Sequence, residues 1–161
     1  MRGILAALVD AVQSRGKRIR GASTITQQVM KNFLLDRSRR AERNVKEIIL
    51  ATRIERILSK EQILELYLNE IFLGQNSYGV TAASQTYFNK TLDELAPHEA
   101  AFLAALPKAP SDYHPVREKE RLLERRNYVL KEMFQNGYLP KRIYEYELTQ
   151  PLSLIHISEP T

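Results

Sequence analysis

Apolar residues recur along this chain at intervals of three and four, the spacing of one face of an α-helix. Leu5, Leu8, Val9 and Val12 fall at i, i+3, i+4 and i+7 and predict an amphipathic first helix. Residues 14–21 (Ser-Arg-Gly-Lys-Arg-Ile-Arg-Gly) then form a basic loop with two glycines. Ser23 is the expected N-cap of a second helix, which carries Ile25, Val29, Met30 and Phe33 on one side. The polar stretch 36–40 leads into a third helix over residues 41–58. Ser59-Lys60-Glu61-Gln62 has the pattern in which the two end side chains satisfy each other's backbone amides. It opens a fourth helix carrying Ile63, Leu64, Tyr67, Leu68 and Ile71.

Glycines between 74 and 79 end that pattern, and residues 78–88 read as a short helix lined by Ala82, Ala83 and Ser84. Pro97 suits the first turn of a helix over 97–106, where its missing N–H removes no bond. Pro107, Pro110 and Pro115 force an extended stretch, since each disfavours helix at the residue before it. A long charged helix spans 116–136 and is stopped by Gly137 at the position just past its end. The spacing assigns no element to 138–148. Residues 149–161 have no helical period and read as an artefactual extension of a domain that closes at 148. Deleting residues 150–161 is therefore expected to move the melting temperature by less than about 2 °C. Strand alternation is nearly absent, with no repeat and no interior linker. The expected architecture is one mainly α-helical domain.

Composition excludes several chemistries. The 161 residues contain no Cys and only three His, scattered at 98, 114 and 156. Disulfide scaffolds, thiolate zinc sites and cysteine nucleophiles are ruled out, and a histidine metal cluster is not expected. No apolar run approaches the roughly 20 residues needed to span a bilayer, and residues 1–10 lack the order of a signal peptide. No phosphate-binding P-loop, dinucleotide turn, zinc-protease pair or hydrolase elbow occurs. The net charge of +5 is unevenly placed: residues 1–60 hold 14 Lys and Arg against 5 Asp and Glu, the rest 10 against 14. A basic first third calls for an anionic partner such as a phosphorylated substrate, anionic lipid or nucleic acid. Nucleic acid is disfavoured, because residues 1–32 contain no aromatic side chain on which a base could stack, and Phe33 belongs to the apolar face.

Two stretches could carry chemistry. In 21–28 (Gly-Ala-Ser-Thr-Ile-Thr-Gln-Gln) three hydroxyls and two amides gather at a helix start, directly after the basic loop. Side-chain donors, unpaired backbone N–H groups and the positive end of a helix dipole together suit a phosphate or a sugar hydroxyl. The same residues also read as an N-cap followed by a polar first turn. Further on, Arg43, Lys46 and Glu47 fall at i, i+3 and i+4 and are expected on one helix face. A carboxylate among cations stays ionised, so Glu47 suits a metal ion, or the orienting of a cation, better than proton donation. A surface ladder of ion pairs is the alternative. His98 beside Glu99 reads as a surface pair near a helix start.

Five stretches in order then carry a resemblance: 21–28, Arg-Asn-Val-Lys-Glu at 43–47, Ile-Leu-Glu-Leu-Tyr-Leu-Asn-Glu-Ile-Phe-Leu-Gly at 63–74, Tyr-Gly-Val-Thr-Ala-Ala-Ser at 78–84, and Leu-Pro-Lys-Ala-Pro-Ser-Asp-Tyr-His-Pro at 106–115. Together they resemble the peptidoglycan glycosyltransferase (transglycosylase) domain of class A, bifunctional penicillin-binding proteins, over residues 2–147. The resemblance implies a lysozyme-like helical fold with a membrane-facing lobe. It implies polymerisation of lipid II into a growing glycan strand, with inversion, a β-1,4 link and undecaprenyl pyrophosphate as leaving group. It implies a setting at the outer, periplasmic face of the bacterial cytoplasmic membrane, with a transpeptidase domain in the parent protein.

By the same resemblance Glu47 is a catalytic carboxylate acting on the pyrophosphate side, directly or through a divalent cation (magnesium or manganese). Ser23, Thr26, Gln27, Gln28, Lys31, Arg39, Arg43 and Lys46 are the matching substrate-binding positions. The family's first motif, a Glu-Asp pair followed by Phe, His and Gly, does not occur in the 161 residues, and with it goes the family's general base. Asn44 stands where the family more often has Lys. The chain alone is therefore expected to bind lipid pyrophosphate without polymerising it. The alternative is a non-catalytic lipid-pyrophosphate or partner-binding module.

Overall fold

The computed structural model describes residues 24–33, 40–108 and 117–155, and only the backbone of residues 40–43 and 108. The expected helix around Leu5–Val12, the basic loop, Ser23, Arg39 and most of the proline stretch lie outside the described residues. Among those described there is no strand, only one isolated antiparallel bridge between Phe72 and Tyr78. The expectation of a mainly α-helical fold holds. No described helix is long and apolar enough to cross a membrane. The chain falls into two compact units, Met1–Glu70 and Ile71–Thr161.

The first unit contains α1 (Ile25–Phe33), α2 (Arg40–Ile54) and α3 (Lys60–Glu70), with α1 packed against both others. Val29 and Met30 of α1 and Ala51 of α2 form its buried centre, flanked by Leu50, Ile54, Leu66 and Tyr67. The inner face of α1 is Thr26, Gln27, Val29 and Met30, whereas Ile25 and Phe33 are exposed. This corrects the expected stripe, Phe33 included. Two polar side chains take inner positions because each finds a hydrogen-bond partner there, which removes most of the penalty for burying them. Helix α2 ends at Ile54, four residues short of expectation. Its backbone tightens into i→i−3 bonds at Arg56 N–H to Arg53 O (3.2 Å) and Ile57 N–H to Ile54 O (2.9 Å). Ser59 must be free to cap α3, and it does. The Ser59 amide donates to Gln62 Oε1 (2.9 Å) and the Gln62 amide to Ser59 Oγ (3.2 Å), as the spacing predicts.

The second unit opens with a tight turn. Gln75 and Asn76 both have positive φ (46° and 56°), and Ser77 N–H donates to Gly74 O at 2.8 Å. It continues through α4 (Val80–Phe88), α5 (Pro97–Ala105), α6 (Lys119–Gln135) and α7 (Lys141–Leu148). Pro97 opens α5 and Gly137, at φ 81°, follows α6, both as expected. Helix α4 starts two residues later than expected, and Ala82 faces solvent. Helix α5 is the hub, packed against α4, α6 and α7. Fully buried Ala101 and Ala105 on α5 let α6 approach closely with Leu122 and Leu130. Phe102 meets Tyr87 and Phe88 edge-on, with ring centroids 5.1 and 5.5 Å away. The Tyr87 hydroxyl donates to Leu73 O at 2.7 Å, and burial pushes its phenol pKa up to about 12.

Helix α7 was not legible from spacing, and its inner face explains why. Glu147, at a buried position, accepts hydrogen bonds from the His98 backbone amide (3.0 Å) and from His98 Nδ1 (2.5 Å). The expected surface pair of His98 with Glu99 is therefore wrong. Glu99 instead takes the Lys90 ammonium (2.9 Å) and the Ala96 amide (2.9 Å). Alongside, Arg126 of α6 is 1% exposed and donates to Gln150 O (2.8 Å) and Asn127 Oδ1. Burial pulls its guanidinium pKa down, and the charge of Glu147 opposes that shift.

The segment after α7 is thus tied into this unit. Gln150 O serves Arg126, and the Ile155 amide donates to Tyr87 O at 3.0 Å. Residues 150–155, which show no packing pattern in the sequence, thus make two hydrogen bonds with α6 and α4. Truncation before Gln150 strips an acceptor from a buried guanidinium, at a cost of about 1–3 kcal/mol. A thermal melt should fall by several degrees, not by less than the 2 °C expected from sequence.

Candidate functional site

The hydroxyl–amide motif starts α1, and its cap is Thr24 rather than Ser23. The Gln27 amide donates to Thr24 Oγ1 (3.2 Å), and the Thr24 amide donates back to Gln27 Oε1 (2.9 Å). This reciprocal pair closes two of the amides that a helix start leaves open. Gln27 is buried, with its carbonyl oxygen committed to the cap. Replacing Thr24 by Ala should cost about 1 kcal/mol, read as a lower melting temperature.

Thr26, 6% exposed, turns the other way and donates its hydroxyl proton to Glu55 Oε1 at 2.7 Å. Thr26 thus meets Glu55, while Val29 and Met30, one turn later, share a cluster with Ala51, one turn earlier on α2. The two helices must therefore run antiparallel. One turn further along each, the end of α1 carrying Lys31 lies toward the end of α2 carrying Glu47. Glu47, Ala51 and Glu55 follow at i, i+4 and i+8; Glu47 and Ala51 are buried, whereas Glu55 is exposed and meets α1 through Thr26.

Glu47 is 7% exposed, whereas Lys46 beside it is exposed. The two thus differ in burial, where the spacing expects them on one face. For Glu47 a solvent-facing ion ladder is excluded by its burial. The side chain of Arg43 lies outside the described residues, as do Ser23 and Arg39. Lys31 is exposed at the last turn of α1, and Gln28 is half-buried. Of the candidate positions, the structure thus brings Thr26, Gln27, Gln28, Lys31 and Glu47 onto one packed helix pair. Glu55 was not anticipated. Its only sequence signal is its place two turns after Glu47.

Among the described residues no group of three or more His, Cys, Asp or Glu could hold a metal ion. A divalent cation at Glu47 fits in one form, bound by a single carboxylate with phosphate oxygens and water completing the shell, as magnesium commonly is. The other buried ionic cluster, His98 with Glu147 and Arg126, lies in the second unit and fastens α7 to α5 and α6.

Comparison with known proteins gives concordant results. The family model described as Transglycosylase matches residues 1–134. Penicillin-binding protein 1A of Rickettsia felis is 52% identical over 138 residues, covering 86% of this chain and 18% of that protein. Penicillin-binding protein 1A of Aquifex aeolicus is 52% identical over 139 residues, 86% of this chain and 19% of its own length. The Escherichia coli K12 protein of the same name is 46% identical over 151 residues, 94% of this chain and 18% of its own. The crystal structure of penicillin-binding protein 1A from Haemophilus influenzae superposes with a TM-score of 0.57 at 37% identity, covering 86% of this chain and 18% of that one. The chain spans about a fifth of the length of the relatives it matches.

Proposed function

The chain belongs to the transglycosylase family, and from that premise we propose that it is the donor-site part of a peptidoglycan glycosyltransferase. The reaction is polymerisation of lipid II into a β-1,4-linked glycan strand with inversion, releasing undecaprenyl pyrophosphate at the outer face of the cytoplasmic membrane. A transpeptidase domain in the parent protein would cross-link the product. The observation that carries this reading is Glu47, a buried carboxylate on α2, the helix packed against the hydroxyl–amide helix. A carboxylate in that place is not a solvated surface charge.

Negative charge gathers on the pyrophosphate as the sugar–phosphate bond breaks. Cations held nearby in advance stabilise that state more than the ground state. Lys31, Arg39, Arg43 and Lys46 supply the charge, and Glu47 assists on the pyrophosphate side. A divalent cation bound there would add direct neutralisation of the phosphate oxygens. Ser23 and Gln28 are the proposed donors to phosphate or sugar. Thr26 and Gln27 are largely committed inside the helix pair, so their part is to shape the site.

The test is glycan-strand formation from labelled lipid II by the 161-residue chain, and by the chain preceded by a segment bearing the Glu-Asp, Phe, His and Gly motif. Only the second should polymerise, with general-base catalysis contributing roughly 10²–10⁴-fold. Both should bind a polyprenyl pyrophosphate. Strand formation by the shorter chain would overturn the account of the base, and absence of binding by both would overturn the donor-site reading.

A further inference from the structure

We infer that Glu55 is a positioning residue for the donor site: its hydrogen bond to Thr26 sets the first turn of α1 against α2. This rests on the donor-site reading given above and adds to it a residue outside the recognised motifs.

A threonine hydroxyl has one proton. In Thr26 that proton goes to Glu55 Oε1 at 2.7 Å, in a setting where Thr26 is buried and Glu55 lies just past the end of α2. Glu55 is held there by its own amide, which donates to Ala51 O at 3.0 Å, and by the tight turn that follows. The bond spans 29 residues. It is a polar link between the start of α1 and the end of α2, while Val29, Met30 and Ala51 supply the apolar contact one turn away. An apolar contact is tolerant of small rotations, whereas a hydrogen bond is directional. With both present, the α1 amides beyond the cap keep a fixed direction relative to the end of α2 that carries Glu47. A carboxylate near the start of α1 also sits favourably against the helix dipole. Glu55 itself need touch no substrate.

Three variants test this: Glu55→Ala, Glu55→Gln and Thr26→Val. Glutamine keeps an acceptor oxygen in place of Oε1, so it should rescue what alanine loses. The first readout is binding of a polyprenyl pyrophosphate in detergent micelles, measured by calorimetry. Glu55→Ala and Thr26→Val should each weaken binding about fivefold, the size of one ordinary hydrogen bond. The double variant should be no weaker than either, and Glu55→Gln should stay within about twofold of the parent chain. Parent-like affinity in Glu55→Ala and Thr26→Val would overturn the proposal even if both melt earlier.

The second readout needs no ligand. Amide hydrogen exchange at Gln27 and Gln28 should speed up in Glu55→Ala and Thr26→Val but not in Glu55→Gln, with the amide of Val29 and those beyond it unchanged. Uniform exchange across the variants would sink the inference independently. A parent chain that binds no pyrophosphate, yet shows the exchange pattern, would remove the donor-site reading and leave the positioning bond standing.

Discussion

Glu47→Gln, placed in a chain that also carries the Glu-Asp motif segment, should lower strand formation from lipid II by about 10²–10³-fold, the usual loss when one preorganised electrostatic group is removed. The side chain is 7% exposed, and the amide replaces the carboxylate at nearly equal volume and opens no cavity. Melting should therefore change little while turnover collapses. Affinity for the lipid donor should change much less than the rate, since in the proposed reading the carboxylate assists the departing charge and not the bound ground state. A rate that survives the substitution would reduce Glu47 to a packing residue in the α1–α2 interface.

The largest stability effect is expected at Arg126. Replacement by Met keeps much of the apolar stem but removes the donor to Gln150 O and the positive charge beside buried Glu147. Breaking a buried ion cluster by deleting one partner costs about 3–5 kcal/mol, because the other charge stays behind. For a chain of this size the melting temperature should fall by about 10 °C. Arg121, exposed and paired with Glu118 at 3.1 Å on the same helix, is the control. Its replacement should cost less than about 1 kcal/mol. Equal effects at the two positions would mean that Arg126 contributes only as a surface residue does.

These two positions also mark how far local pattern carries. Ser59 with Gln62, Pro97 and Gly137 announce helix ends through chemistry within four residues, and the structure places ends at all three. Arg126, in contrast, sits in a helix so charged that nothing nearby distinguishes it from its solvent-facing neighbours. Its backbone acceptor, Gln150 O, is 24 residues away. Glu147 is 49 residues from His98, and a glutamate at a core position erases the apolar stripe that would have revealed α7. At the site, the hydroxyl–amide motif was visible, but which hydroxyl caps was not. Ser23 and Thr24 are adjacent, and only the Gln27 partner selects Thr24. Glu47 was found by motif while its burial was not, since spacing put it on a face with Lys46. The distinction depends on where α1 docks, which is a tertiary fact.

Ala51 gives the helix pair a mechanical property. It stands midway between Glu47 and Glu55 in sequence, 2% exposed, and its methyl group packs with Val29 and Met30 of α1. It therefore acts as a fulcrum. A bulkier side chain at that point would lever α1 outward, and a gap opened in the middle is felt at both ends of the lever. The Thr26–Glu55 bond would lengthen at one end while the packing around buried Glu47 changed at the other. One carbon atom thus sets the tolerance of two carboxylates that lie about 12 Å apart along the helix axis.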